Sequence, residues 1–207
     1  MLGIYNYTVV LTYFGMLAAF TGITYAIHGD IHTALICLMI SGFCDMLDGK
    51  IASTKKDRTF RERRFGVQID SLSDLICFGT LPAVIVYTAA QGSDSSFYIS
   101  GLYLLCALIR LAWFNVDEEE RQERETGSRE VYYGLPVTSS ALIIPALFGF
   151  GRLHSWPLHL LGPAALTLMG AAFLTPFRLK KPAVLGKIGM VLCGGAELIL
   201  LFAGMDL

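Results

Sequence analysis

Charged residues are scarce in this sequence. Only 16% of its 207 residues are Asp, Glu, Lys or Arg, against roughly 25% in ordinary soluble domains, and 54% are hydrophobic. This scarcity excludes an ordinary soluble domain, and the mean hydropathy of +0.57 predicts an integral membrane protein. The formal net charge of −1 says little by itself, because the charges are gathered in a few connectors. No nucleic-acid partner is expected.

Other absences narrow the chemistry. The five cysteines lie in apolar stretches without C-x-x-C pairing, which favours small buried hydrophobic residues over redox or metal ligands. The N-terminus lacks a charged leader and a small-residue cleavage pattern, so we expect the first apolar segment to be retained. Internal repeats and low-complexity segments are also lacking. Residues 1–207 are therefore predicted to form a single integral membrane domain.

The apolar segments predict an all-α, polytopic transmembrane helix bundle. A helix needs about 20 apolar residues to cross a bilayer, and seven stretches approach that length. We expect six to eight spans, because the connector 54–65 could itself hold a short interfacial helix. The seven predicted spans are 7–27, 31–53, 66–91, 97–116, 135–153, 157–175 and 184–204.

The basic residues predict how these spans are oriented. Lysine and arginine are enriched in cytoplasmic connectors, and an inside N-terminus leaves only Arg152 on the outer side. This arrangement predicts a multi-pass protein of the cytoplasmic membrane, with the acidic stretch 117–130 as a solvated connector or a short exposed helix. The inner connectors would then hold Lys55, Lys56, Arg58, Arg61, Arg63 and Arg64, then Arg121, Arg124 and Arg129, then Arg178, Lys180, Lys181 and Lys187.

Four aspartates lie near the inner ends of the second and third spans. Asp45 and Asp48 are three residues apart and Asp70 and Asp74 four apart, so each pair shares one helix face. Ionised carboxylates are costly in a spanning helix and call for a partner. Hard oxygen ligands without histidine or thiolate select magnesium, manganese or calcium. We therefore predict a divalent metal site at the cytoplasmic end of the bundle.

Small residues share the faces of these aspartates. Gly49 follows Asp48, Ala52 lies four residues after Asp48, and Gly66 lies four before Asp70. Such faces leave room for a flat or phosphate-bearing group to approach the backbone. Close packing of helices through small residues is the alternative, and it accounts for the glycines without accounting for the acids.

The segments DMLDGKIA and GVQIDSLSD resemble the signature of the CDP-alcohol phosphotransferase family, D-x-x-D-G-x-x-A-R followed by G-x-x-x-D-x-x-x-D. Ser53 departs from it, because the family usually has arginine there, and Lys50, Lys55 or Lys56 could supply the missing charge. The resemblance implies that the segment 45–74 is catalytic, that Asp45, Asp48, Asp70 and Asp74 bind metal, and that the nucleotide contacts Gly49, Lys50, Ala52, Ser53 and Gly66.

Within the family, the chain is most similar to the phosphatidylserine synthases. The similar stretches are FGVQIDSLSDLICFGTLPA (65–83), LIRLAWFNV (108–116) and YGLP (133–136), and the match weakens over the last two spans, including 176–207. The resemblance implies transfer of a phosphatidyl group from CDP-diacylglycerol to L-serine, with release of CMP. It also implies a Mg²⁺ or Mn²⁺ cofactor, with Ca²⁺ as a possible stand-in, Asp74 as general base, and a homodimer among membrane lipids.

The acceptor alcohol and the protein class leave alternatives open. Glycerol 3-phosphate or an inositol phosphate would need additional arginines, whereas only Arg110 lies clearly within a span. Arg110, Asn115 and Tyr133 are candidates for a pocket that binds the serine or a phosphate, and Arg110 could instead be a snorkelling or structural residue. Glu197, in the last span, is predicted to make an interhelical hydrogen bond or a dimer contact rather than to take part in catalysis. A cation transporter is the alternative of a different class.

Overall fold

The computed structural model describes residues 3–124, 131–180, 189 and 192–198. Within these residues a π-helical segment, Leu75–Thr80, joins the third helix to the fourth, and a 3₁₀ turn, Val137–Ser139, precedes the sixth. The α-helices are α1 (Tyr7–Ile27), α2 (Ile31–Thr54), α3 (Phe60–Asp74), α4 (Leu81–Ala89), α5 (Asp94–Arg124), α6 (Ser140–Leu153) and α7 (Leu158–Leu174).

The prediction of an all-α membrane bundle is confirmed. In the described part of the chain, four helical stretches are long and apolar enough to cross a bilayer: α1, α2, Phe60–Ala89 and Asp94–Glu120. Two shorter apolar stretches follow, Val137–Leu153 and Leu158–Leu174. The seventh predicted span, 184–204, lies outside the described residues except for 189 and 192–198, which are helical.

Two helices begin or end differently from the sequence prediction. The third span begins at Phe60 rather than at 66, because Thr59 and Glu62 form a capping box. In this box the Glu62 amide donates to Thr59 Oγ1 at 3.2 Å, and the Thr59 amide donates to Glu62 Oε2 at 2.8 Å. This box supplies partners for amides that a helix N-terminus leaves unpaired. Helix α5 continues into the predicted acidic connector as far as Arg124, since that stretch is rich in helix-forming Glu and Arg and free of Gly and Pro.

Helices α1 and α2 form a closely packed antiparallel pair. A β-carbon at Gly22 would lie 2.8 Å from Cys37 Cβ, so only glycine allows this approach. Ser41 Oγ donates to the Gly15 carbonyl at 2.9 Å across the same seam. The pair positions α2, and with it two of the four aspartates, against the first span.

The π-helical segment connects the third span to the centre of the bundle. Phe78 is fully buried there, and its carbonyl accepts hydrogen bonds from Tyr103 Oη at 2.7 Å and from Ser140 Oγ at 3.2 Å. Backbone polar groups inside a membrane need internal partners, and these two side chains supply them. The contacts join α5 and α6 to the segment that follows Asp74 directly.

A short antiparallel ribbon, which the sequence analysis did not predict, lies beside the helices. Strand β1 (Val131–Tyr133) pairs with β2 (Arg178–Lys180), with Tyr133 opposite Arg178. Gly134 follows β1 with a φ of +74°, a left-handed conformation that favours glycine. A β-carbon there would lie 3.0 Å from the carbonyl oxygens of Phe173 and Thr175. The ribbon thus holds the chain before α6 against the end of α7.

Candidate active site

The structure brings the four aspartates together between α2 and α3. Carboxylate oxygens of Asp45, Asp70 and Asp74 lie within 4.8 Å of one another. Asp48 lies one turn after Asp45 on α2 and interacts with Asp70 on α3, while Asp45 interacts with Asp74. Asp48 lies six residues before the end of α2 at Thr54, about 9 Å along the helix axis. The cluster is therefore near the end of the bundle where the basic connector joins the two helices.

Helix α1 forms a third wall of this acidic cluster. Thr12 Oγ1 donates to Asp48 Oδ2 at 2.9 Å, and both residues are buried. Ser73 Oγ donates to the Thr12 carbonyl at 3.4 Å, which ties the same turn of α1 to α3. Thr12 is a site residue that the sequence pattern did not reveal, because α1 also carries Thr8, Thr21 and Thr24 and no spacing distinguishes Thr12 from them.

The negative charge of the cluster has no basic partner among the residues that the structure describes. The ion pairs found there are Lys55–Glu62 and Arg64–Glu119, and neither involves the four aspartates. Asp45, Asp70 and Asp74 are half-buried and Asp48 is buried, an arrangement that is costly for ionised groups near a membrane. A set of four hard oxygen donors without an ammonium or guanidinium group fits a divalent cation such as Mg²⁺ or Mn²⁺.

The predicted nucleotide-binding face of α2 is open. Gly49 and Lys50 are exposed, and a β-carbon at Gly49 would meet no atom within 4 Å. Ala52 is half-buried on the same helix. Ser53 is exposed, and its Oγ donates to the Lys50 carbonyl at 2.6 Å, so its hydroxyl hydrogen-bonds to its own helix.

The connector between α2 and α3 is held by an ion pair. Lys55 Nζ lies 2.6 Å from Glu62 Oε1, which also accepts a hydrogen bond from Asn6 Nδ2 at 2.8 Å. The hydrogen bond to Glu62 raises the pKa of Lys55 above its usual range. Lys55 is thus engaged in holding the connector, while Lys56 is exposed.

Gly66, the remaining predicted nucleotide contact, is covered by an arginine. Arg58 Nη2 lies 2.6 Å from the position that a β-carbon of Gly66 would occupy. Arg58 belongs to the basic connector, where the sequence pattern pointed to Lys55 and Lys56, rather than to Arg58, as substitutes for the missing arginine. The approach of its guanidinium group could not be read from the spacing, because it depends on how the connector folds back over α3.

The three candidates for a serine pocket lie on α5 and on the ribbon. Arg110 is buried, and its Nη2 donates to the Tyr133 carbonyl at 2.5 Å. Asn115 Oδ1 accepts a hydrogen bond from Ser71 Oγ at 2.8 Å, and Ser71 directly follows Asp70. Asn115 is therefore connected to the helix that holds two of the aspartates, whereas Arg110 and Tyr133 connect α5 to β1.

Residues 5–177 match the family profile of the CDP-alcohol phosphatidyltransferases. The matched range contains all four aspartates and extends beyond the stretches on which the sequence resemblance rested. The predicted family resemblance is confirmed.

Curated relatives of the chain carry related names. An archaetidylserine synthase of Methanothermobacter thermautotrophicus is 31% identical over 132 residues, which cover 63% of this chain and 52% of that relative. A CDP-diacylglycerol–serine O-phosphatidyltransferase of Saccharomyces cerevisiae is 34% identical over 109 residues, covering 51% of this chain and 38% of the relative. A protein of the same name from Mycobacterium leprae is 28% identical over 138 residues, which cover 66% of this chain and 44% of that relative. The matched region spans about half of these relatives or less.

Proposed function

This chain belongs to the CDP-alcohol phosphatidyltransferase family, and on that premise we propose that it transfers the phosphatidyl group of CDP-diacylglycerol to the hydroxyl of L-serine. The products would be phosphatidylserine and CMP. The names of the three relatives support serine as the acceptor, because each name contains it. The observation that carries the proposal is the convergence of Asp45, Asp70 and Asp74, with Asp48 beside them, without a basic partner among the described residues.

In this proposal the four aspartates hold divalent metal, Mg²⁺ or Mn²⁺. When bound, the metal would offset the charge of the pyrophosphate and stabilise the departing CMP. Thr12 orients Asp48 through the 2.9 Å hydrogen bond to Oδ2. The open backbone at Gly49 leaves space for the nucleotide beside α2, with Lys50, Ala52, Ser53 and Gly66 along the same surface.

Asp74 is proposed to act as the general base. The serine hydroxyl oxygen attacks the phosphorus that bears the diacylglycerol, the bond from that phosphorus to the CMP oxygen breaks, and the hydroxyl proton passes to an Asp74 carboxylate oxygen. A serine hydroxyl is a very weak acid, so an oriented carboxylate contributes directly to this step. Arg110, Asn115 and Tyr133 are proposed to form the pocket for the amino acid, with the Arg110 guanidinium suited to a carboxylate.

The location of the acids agrees with such a reaction. The lipid chains stay in the hydrocarbon layer while cytidine and serine arrive from water, so the chemistry belongs at an interface. The basic connector beside the aspartates favours the cytoplasmic side of the cell membrane. A homodimer, which the family resemblance implies, remains part of the proposal.

One alternative concerns the lipid and has a specific observation in its favour. The Methanothermobacter thermautotrophicus relative is named for archaetidylserine rather than for phosphatidylserine. The relatives thus agree in naming serine and differ in the lipid group. An ether-linked CDP-archaeol is therefore the second lipid donor to be tested.

The direct test is release of CMP by the purified protein in detergent with Mg²⁺ or Mn²⁺. We expect CMP release that depends on L-serine, with CDP-diacylglycerol and CDP-archaeol supplied in parallel to identify the lipid. Glycerol 3-phosphate and inositol phosphate serve as competing acceptors. CMP release that requires glycerol 3-phosphate or inositol phosphate rather than serine would contradict serine as the acceptor. A protein that transports cations without releasing CMP would contradict the proposed reaction class.

The role of Asp74 is tested by Asp74→Asn. Removing a general base typically costs 10²- to 10⁴-fold in rate, and Asp74 also belongs to the acidic cluster, so we expect serine-dependent CMP release to fall by at least about 100-fold. Asp57→Asn is the matched control, because Asp57 is exposed on the connector and should leave the rate unchanged. Equal rates of CMP release for Asp74→Asn and the unsubstituted protein would rule out Asp74 as the general base.

A further inference from the structure

We propose that Arg58 binds the pyrophosphate of the nucleotide and so replaces the arginine that the family signature has at the position of Ser53. The inference rests on the proposed function, because it concerns the same nucleotide. It assigns a role to a residue outside the signature, on the connector Lys55–Thr59 between α2 and α3.

Arg58 is placed beside the predicted nucleotide surface. Its Nη2 lies 2.6 Å and its Cζ 3.8 Å from the position of a β-carbon on Gly66. Gly66 precedes Asp70 by four residues, so the guanidinium group lies over the helix face that carries Asp70 and Asp74, one turn outside the acidic cluster. A phosphate bound next to the acidic cluster would come within reach of this group.

The charge of Arg58 is not neutralised within the described part of the chain. Neither ion pair found there includes Arg58. Its Nη2 donates only a long bond, 3.4 Å, to the Glu62 carbonyl, and its Nε is buried without a hydrogen-bond partner. Buried donors normally have partners, and an unpaired Nε beside an Nη is the planar fork that binds a phosphate through two parallel hydrogen bonds.

Other nearby basic residues fit this role less well. Lys55 is paired with Glu62 at 2.6 Å, and Glu62 is further engaged by Asn6 and Thr59. Lys50 and Lys56 are exposed and would offer a point charge rather than a fork. Glycine at position 66 is also explained, because a larger side chain would displace the guanidinium group.

The test measures binding of CDP to the purified protein in the presence of Mn²⁺ and in the absence of serine. We expect Arg58→Gln to weaken CDP binding roughly 10- to 100-fold, the usual range for charge-assisted hydrogen bonds, and to leave Mn²⁺ binding unchanged. The CDP affinity of Arg58→Lys should lie between those of Arg58→Gln and the unsubstituted protein, since lysine keeps the charge and loses the planar fork. Ser53→Arg added to Arg58→Gln should restore most of the affinity.

Arg61→Gln is the matched control. Arg61 is exposed on the same basic stretch, so this variant makes the same change in charge and should bind CDP as the unsubstituted protein does. Equal losses in Arg58→Gln and Arg61→Gln, or no loss in Arg58→Gln, would overturn the proposal. Because the measurement needs no acceptor, a protein that loses CDP affinity in Arg58→Gln but releases no CMP with serine would support Arg58 and refute the serine reaction.

Discussion

At the scale of single residues, the acidic cluster depends on side chains that hold the carboxylates in place. Thr12 on α1 donates to Asp48 Oδ2 at 2.9 Å, in a buried contact between residues 36 positions apart. Partners that orient metal ligands often matter nearly as much as the ligands. Thr12 therefore offers a way to test the proposed metal site without changing an aspartate.

We predict that Thr12→Val weakens metal binding. Valine keeps the shape of threonine and removes the donor, so one Asp48 oxygen loses its partner. Loss of such a supporting hydrogen bond typically costs 10- to 100-fold in metal affinity or activity, and we expect the Mn²⁺ concentration at half-maximal CMP release to rise by about that factor.

The control for this substitution is Thr21→Val on the same helix. Thr21 is exposed and its Oγ1 donates only to the Leu17 carbonyl at 2.9 Å, so the metal dependence should not change. A normal Mn²⁺ dependence in Thr12→Val would show that the hydrogen bond to Asp48 has no part in holding metal.

At the scale of helices, close approach through small residues determines where α2 lies. A β-carbon at Gly42 would be 2.6 Å from Ala141 Cβ on α6, which is shorter than any real contact between β-carbons. Gly42 is three residues before Asp45 on the same helix. The seam between α2 and α6 therefore affects the position of the acidic cluster as well as the stability of the bundle.

We predict that Gly42→Val destabilises the protein. The added side chain forces α2 and α6 apart, and overpacking of this kind usually costs about 1–3 kcal/mol. The expected result is a lower midpoint of thermal unfolding in detergent. Gly101→Val is the control, because a β-carbon at Gly101 on α5 would meet no atom within 4 Å; a similar drop in both variants would indicate a loss of helix propensity rather than a steric effect.

At the scale of the whole molecule, the proposed reaction requires the acidic cluster to face the cytoplasm. The connector between α2 and α3 and the turn between α4 and α5 lie at opposite ends of the span Phe60–Ala89. Labelling in the first turn of α3, next to this connector, and in the first turn of α5, next to this turn, therefore reports the orientation of the bundle.

We predict that a membrane-impermeant maleimide labels Ser95→Cys in intact cells and labels Arg61→Cys only after the membrane is opened. Both positions are exposed, and the exposed native Cys193 is first replaced by serine to remove background. The basic connector is expected inside because lysine and arginine are retained on the cytoplasmic side. Labelling of Arg61→Cys in intact cells would show that the bundle has the opposite orientation and would contradict the prediction.

Much of the architecture could be predicted from the sequence, because the patterns that indicate membrane helices and shared helix faces are local. Long apolar segments must form helices in a membrane, where every backbone group needs an internal partner, and spacings of three and four residues place Asp45 with Asp48 and Asp70 with Asp74 on shared helix faces. The same spacings produced the family resemblance that the profile over residues 5–177 confirmed. Helix ends were less predictable: the capping box at Thr59 moved the start of the third span, and the helix-forming acidic stretch lengthened α5.

Only the tertiary structure revealed the contacts between segments. Thr12 meets Asp48, and Ser71 meets Asn115 across 44 positions, because those contacts depend on how helices pack rather than on any local period. The pairing of β1 with β2 joins segments on either side of α6 and α7. Arg58 reaches Gly66 because the connector folds back over α3. The sequence by itself therefore predicted which aspartates share a helix face and form a candidate metal site, while packing decided which other residues, Thr12 and Arg58 among them, lie beside them.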